Sequence, residues 1–338
     1  MSEIDLSLKP SETHDYLVGA IGQHLAVLLQ GEPGTGKTEV VVQAAETAGA
    51  DLIISHPVVS DPTDYKGQPW VVNDEATFLP FSELRKLITA DKPTVFFLDD
   101  LGQALPSVQA AAMQLILGRS INGNFVSPEV TFMAATNRRT DKAGVVGILE
   151  PVKSRFATIL HMRVDVEDWV GWAIDHEVPT PLISFIRFRP NMLMDFKPSN
   201  DMTNTPSPRT VVNVGKNMGV KMPSNVEMAV YAGAAGKAFA VEFIGFLRIF
   251  RSLPRLDSIL MDPKNAMVPE DPATLYALCG ALANHASDQN IERIVIYGNR
   301  LSDEFNVLLM RDCTKHDMTI MDTRTFIDWA HTHQDVLI

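Results

Sequence analysis

The octapeptide Gly31-Glu32-Pro33-Gly34-Thr35-Gly36-Lys37-Thr38 constrains this chain more than any other stretch of it. It fits the pattern G-x-x-x-x-G-K-[ST] at every position, and it lies between a short apolar run, residues 25–29, and a helical stretch, residues 38–47. Glycines at these places admit backbone conformations and close approaches that a Cβ would block, so successive N–H groups turn inward toward one point. The helix that follows adds the positive end of its dipole. Such a loop receives phosphate oxygens. Lys37 brings a point charge to the outer two phosphates of a triphosphate, and the Thr38 hydroxyl is placed to ligate the Mg²⁺ that bridges them.

Further short apolar runs, at residues 52–55, 94–98, 130–135 and 158–162, alternate with helical stretches. This predicts an α/β fold whose parallel sheet is sandwiched by helices. Two of the runs end in polar groups. Val95-Phe96-Phe97-Leu98 leads into Asp99 and Asp100, two carboxylates at the carboxyl edge of a buried strand, where open α/β sheets bind ligands. Asp99 suits a Mg²⁺ carboxylate, direct or through water, and Asp100 suits the group that orients and deprotonates an attacking water. The run at 130–135 leads into Thr136 and Asn137, and Asn137 is placed to hold that water or to sense the γ phosphate.

Residues 57–80 read as an insertion with a hairpin turning at Asn73-Asp74. A polar, Pro-rich connector, residues 197–208, separates a nucleotide-binding core, 1–196, from a smaller helical remainder, 209–338. Within it Ser207 and Pro208 read as a helix cap and first turn, followed by Arg209. Residues 226–250 are long and apolar enough to suggest a membrane span, but they carry Glu227, Lys237, Glu242 and Arg248. Charges near the centre of a span cost about 2.5 to 3.5 kcal/mol each, so a buried helix is expected there and no span.

Composition narrows the partners. The 41 acidic residues against 29 basic ones leave a net charge of −12, which gives no chain-wide attraction to a phosphate backbone. Cys279 and Cys313 are too few for a disulfide framework or a thiolate metal site and suit a reducing compartment. The start of the chain lacks a basic segment followed by an apolar one, so a cytoplasmic location is expected. His316, His331 and His333 have no metal-ligand spacing backed by Cys or a carboxylate cluster.

Taken in order, GEPGTGKT, FFLDD, AATN, KSRF and SPR resemble the Walker A, Walker B, sensor 1, arginine finger and sensor 2 elements of AAA+ ATPases. The insertion at 67–80, the helix and hairpin in AAMQLILGRSINGNF and the long interval before SPR are similar to the MoxR branch. The resemblance implies ATP and Mg²⁺ as ligands and an AAA+ core followed by an all-α lid. It makes Asn137 the sensor 1 residue, Arg155 the finger that reaches a neighbouring subunit's γ phosphate, and Arg209 the sensor 2 residue. A finger supplied by a second subunit is worth about 10³ to 10⁵ in rate. Arg138 and Arg139, beside sensor 1, are alternatives to Arg155.

The sequence departs from the family pattern at Asp100, where Glu is the more common residue. Asp sets its carboxylate one C–C bond, ~1.5 Å, further back. A misplacement of that size costs on the order of 10²-fold in rate.

The resemblance implies a homo-oligomeric ring, a hexamer, that remodels a client or adaptor protein, in this branch often one with a von Willebrand factor A domain. A nucleic-acid machine on the same core is a second reading, with Arg85, Lys86, Arg119 and Arg138 as its pore cations. A slow, nucleotide-gated switch is a third, motivated by Asp100.

Overall fold

The computed structural model describes residues 6–141, 147–198 and 201–333, with the side chain of Arg139 outside that set. The chain divides into two compact units: Met1–Asp165 with Phe196–Asn200, and Val166–Asp195 with Asp201–Ile338. By compactness the helices of residues 166–188 group with the second unit, whereas the sequence places them before the connector at 197–208. An amphipathic helix has the same sequence pattern whichever core its apolar stripe faces, so the pattern alone gave no sign of this grouping.

The first unit contains, in chain order, β1 (Ser7–Leu8), α1 (Pro10–Gly22), β2 (Val27–Gln30), α2 (Lys37–Thr47), β3 (Asp51–Ser55), α3 (Pro62–Lys66), β4 (Gln68–Val72), β5 (Glu75–Leu79), α4 (Ser82–Thr89), β6 (Thr94–Leu98), α5 (Pro106–Gly118), β7 (Ser120–Ile121), β8 (Asn124–Phe125), β9 (Val130–Thr136), α6 (Glu150–Lys153) and β10 (Thr158–Met162). Six strands form one parallel sheet in the order β1-β10-β2-β9-β6-β3. Buried strands expose alternate residues to opposite faces. Val27, Leu29, Val95, Phe97, Met133 and Ala135 accordingly share one core with Leu17 and Ile21 of α1 and Val41 and Ala44 of α2. Leu28, Phe96, Leu98, Phe132 and Ala134 share the other with Leu84 and Leu87 of α4 and Val108 and Leu115 of α5.

The strand order sets the site. β9 lies between β2 and β6 and pairs with both, Leu29 opposite Ala135 on one side and Leu98 opposite Ala134 on the other. The residues after β9 therefore stand between the phosphate loop and the Asp99-Asp100 pair.

The hairpin of β4 and β5 forms in the expected register, with Val72 opposite Glu75. Asn73 and Asp74 both adopt the left-handed region (φ 53° and 61°), the pair of conformations a two-residue hairpin turn requires and that Asn and Asp tolerate. All ten strand residues are exposed, among them Trp70, Val71, Phe78 and Leu79.

The second unit is helical: α7 (Val166–Asp175), α8 (Thr180–Phe188), α9 (Pro208–Met218), α10 (Ser224–Ala235), α11 (Lys237–Arg251), α12 (Leu256–Met261), α13 (Pro272–Asn284), α14 (Ile291–Gly298), α15 (Asp303–His316) and α16 (Arg324–Thr332). Ser207 caps α9 through Thr210 N, with Pro208 in the first turn. Residues 226–250 are not one helix. Gly236 (φ 94°) breaks α10 from α11, and a Cβ there would lie 2.7 Å from the Asn204 carbonyl oxygen. No helix of the described residues is long and apolar enough to cross a membrane. Burial pushes the Cys279 thiol up to about 12 and the Cys313 thiol in the same direction, so both behave as small apolar side chains. His333 stacks on Trp329 with ring centroids 4.8 Å apart and shares a 3.1 Å hydrogen bond with Asn306.

One buried ion pair ties this helical unit together. Arg187 of α8 donates to both carboxylate oxygens of Asp312 in α15, and each side chain is 4 % exposed. Removing one member leaves the other charged and without its partner in a poorly solvated place, at a cost of about 3–5 kcal/mol. Arg187→Ala is expected to lose that much stability in urea unfolding followed by the fluorescence of Trp169, Trp172 and Trp329 in a Trp70→Phe background. The double variant Arg187→Met/Asp312→Leu is expected to recover most of it.

Candidate functional site

The phosphate loop grows out of β2 and ends in α2, as its sequence requires. Gly34 (φ 77°) and Gly36 (φ 95°) take left-handed conformations that L side chains rarely adopt, and Gly36 is the residue from which α2 starts. Gly36 brings no side-chain cap to that end of the helix, whose positive dipole end faces the loop. Gly31 is needed for room: a Cβ there would lie 2.7 Å from the Met162 carbonyl oxygen of β10.

Lys37 is buried, 6 % exposed, and its ammonium has three well-placed acceptors. Nζ donates to the carbonyl oxygens of Gly31 (3.1 Å) and Glu32 (2.9 Å) and to Asn137 Oδ1 (2.9 Å). The other end of the Asn137 amide, Nδ2, faces Asp100 Oδ1 at 3.4 Å. A carboxamide carries an acceptor and a donor on one planar group, so Asn137 bridges a cation and a carboxylate as neither Asp nor Leu would. It is 6 % exposed, immediately after the fully buried β9.

The two carboxylates after β6 differ in their surroundings. Asp99 accepts from the Thr38 hydroxyl through Oδ2 (2.9 Å) and from the Asp100 N–H through Oδ1 (3.0 Å). Asp100 adopts a left-handed backbone (φ 55°, ψ 34°), which turns its side chain out of the strand direction toward Asn137. Non-Gly residues held in this region cluster at functional sites, and Asp is among the types that tolerate it best. The turn is kept close by Gly102, where a Cβ would lie 2.1 Å from Thr136 Oγ1.

The structure thus brings together Gly31, Glu32, Thr35, Lys37, Thr38, Asp99, Asp100 and Asn137. Arg155 follows α6 in the same unit, with its Nε buried and without an acceptor among the described residues. Arg209 is in the first turn of α9, in the second unit. Arg119 donates to the carbonyl oxygens of Ser127 (2.6 Å) and Val130 (2.9 Å) and lies over the Phe132 ring, so its guanidinium is engaged within its own unit. Arg138 pairs with Glu32 and Asp141 of its own chain. The sequence reading missed this cluster, because Glu32 and Arg138 meet only when β9 is placed beside β2.

Residues 27–164 match the family described as ATPase family associated with various cellular activities (AAA). That match spans less than half of the chain. A curated relative, cell division control protein 48 homolog B of Arabidopsis thaliana, is 32 % identical over 120 residues, which cover 33 % of this chain and 19 % of the relative's length. Among solved structures, a point mutant of RuvB from Thermotoga maritima is 18 % identical with a TM-score of 0.43, covering 80 % of each chain. NtrX from Brucella abortus is 12 % identical with a TM-score of 0.43, covering 93 % of this chain and 69 % of that one.

The matched segment runs from β2 to just past β10 and encloses the phosphate loop, the Asp pair and Asn137. ATP hydrolysis by the AAA domain is expected to depend on the Asn137 bridge. Hydrogen bonds to charged groups are worth about 1.5–3 kcal/mol, so Asn137→Ala is expected to slow turnover about ten- to hundredfold. Steady-state hydrolysis alongside nucleotide titration checks this, with ATP still binding to the variant.

Proposed function

We propose that the AAA domain binds and hydrolyses Mg-ATP in a homo-oligomeric ring and uses the cycle to remodel a partner protein, as the MoxR resemblance implies. The observation that carries the reading is the convergence of the Lys37–Asn137–Asp100 bridge and the Thr38–Asp99 contact at the carboxyl ends of three adjacent strands. Lys37 and the loop N–H groups hold the outer phosphates. Thr38 and Asp99 present hard oxygen donors 2.9 Å apart and would hold a Mg²⁺ beside the phosphates. The ion supplies charge neutralisation at the phosphates. Asn137 orients the attacking water, and Asp100 takes its proton. Arg155 reaches the γ phosphate of the neighbouring subunit, and Arg209 is the second cation on the nucleotide.

The client-facing element in this reading is the hairpin of β4 and β5, whose Trp70, Val71 and Phe78 are exposed. A partner carrying a von Willebrand factor A domain fits the same reading. Asp100 supports a second one, a slow nucleotide-gated switch, since its carboxylate is shorter than the Glu common at this place and lies 3.4 Å from Asn137.

The deciding experiment is ATPase rate per subunit against protein concentration, with light scattering and with Lys37→Ala and Arg155→Ala in parallel. A rate that rises with concentration and vanishes in both variants, while Arg155→Ala still binds nucleotide, is the outcome expected of a ring with shared sites. A flat, near-zero rate with intact ATP binding would favour the switch.

A further inference from the structure

Three consecutive residues at the end of β9 hold three parts of the phosphate loop. The Thr136 carbonyl accepts from Gly31 N (3.3 Å), Asn137 Oδ1 accepts from Lys37 Nζ (2.9 Å), and Arg138 Nη2 reaches Glu32 Oε1 (2.5 Å). The first two are the loop's own attachments to its neighbouring strand. The third is a side-chain link: Glu32 occupies a variable position of the G-x-x-x-x-G-K-[ST] pattern, and Arg138 directly follows Asn137.

Arg138 is held for this task from behind. Asp141 is 4 % exposed, and its carboxylate accepts from Arg138 Nε (3.1 and 3.3 Å), from Nη2 (3.0 Å) and from the Arg138 backbone N–H (3.1 Å). Burial works against the guanidinium's charge, but Asp141 and Glu32 more than offset it and hold Arg138 above the usual arginine range. The planar fork fixed by Asp141 has one direction left, toward the half-buried Glu32. Glu32 in turn offers its carbonyl to Lys37 Nζ and to Thr35 Oγ1 (3.0 Å). A shift of Glu32 is therefore felt by the ammonium that meets the phosphates.

We propose that Arg138 is a positioning residue acting within its own subunit: with Asp141 behind it, it clamps the phosphate loop through Glu32 and sets the loop's affinity for the phosphates of ATP and ADP alike. This rests on the reading of the loop as the nucleotide site. It gives Arg138 a role different from that of an arginine reaching into a neighbour.

The test starts with Glu32→Gln, which leaves Asp141 paired and so avoids an uncompensated buried carboxylate. A partly exposed ion pair supports an effect of about two- to fivefold. Glu32→Gln and Arg138→Lys are each expected to raise the Kd of ATP and of ADP by that factor at low salt and to raise KM. In both, kcat should stay within about twofold of wild type, the signature of lost uniform binding. The double variant is expected to be no weaker than the singles, and the gap from wild type is expected to close as salt screens the pair. Mixing Arg138→Lys with Lys37→Ala subunits is expected to leave the raised KM of the Arg138→Lys sites unchanged. Unchanged affinity in Glu32→Gln, or a wild-type KM recovered on mixing, would overturn the clamp while leaving the nucleotide site intact. A wild-type protein that binds neither ATP nor ADP would overturn the site reading itself, and the clamp with it.

Discussion

The Lys37 ammonium is the point on which the first unit's chemistry turns. A buried cation needs acceptors, and Lys37 takes two from the carbonyls of its own loop and one from the end of the neighbouring strand. That third contact demands that β9 lie beside β2, which the parallel order places there, and that the residue after β9 present an oxygen. Asn137 does so and keeps an N–H for Asp100, so one side chain joins the strands of the loop and of the two carboxylates. The two cores above and below the sheet serve this arrangement. They fix the heights of β2, β9 and β6 through alternate residues, and the polar groups sit where the apolar alternation stops.

The helical unit is organised differently. Its interior is aromatic, with Phe185 5.2 to 5.7 Å from the rings of Phe239, Phe243 and Phe246, and close helix approach is allowed by Gly280, where a Cβ would meet Ser184 Oγ at 2.1 Å. Into this is set the pair of Arg187 and Asp312, which fixes which faces of α8 and α15 meet. Apolar packing alone tolerates rotation of a helix about its axis, whereas a bidentate pair does not.

Much of this was legible in the sequence. The runs at 94–98 and 158–162 are strands with those bounds, and the turn at Asn73-Asp74 is the hairpin turn, because buried strands and two-residue turns leave local marks. The loop, the Asp pair and Asn137 were readable because each sits at a strand end, where an apolar run gives way to polar residues. Three features were not. The two-residue strand β1 is too short to carry a period, and it pairs with β10, which lies more than 140 residues further along the chain. The division at Asp165 falls between elements of similar pattern. The cluster of Glu32, Arg138 and Asp141 depends on strand order, which no local spacing encodes.

The hairpin of β4 and β5 has a consequence for how the protein behaves in concentrated solution. Two strands paired only with each other leave two open edges, and exposed apolar edges invite further strands. Pro69 lies within β4 and offers no N–H, and strands carry proline where the missing donor faces away from the ladder. The β4 side is thereby a poor template for another chain, and the β5 side, from Glu75 to Leu79, is the better one. Pro69 thus makes the two edges of the hairpin unequal, the β5 edge alone carrying an unbroken row of N–H donors.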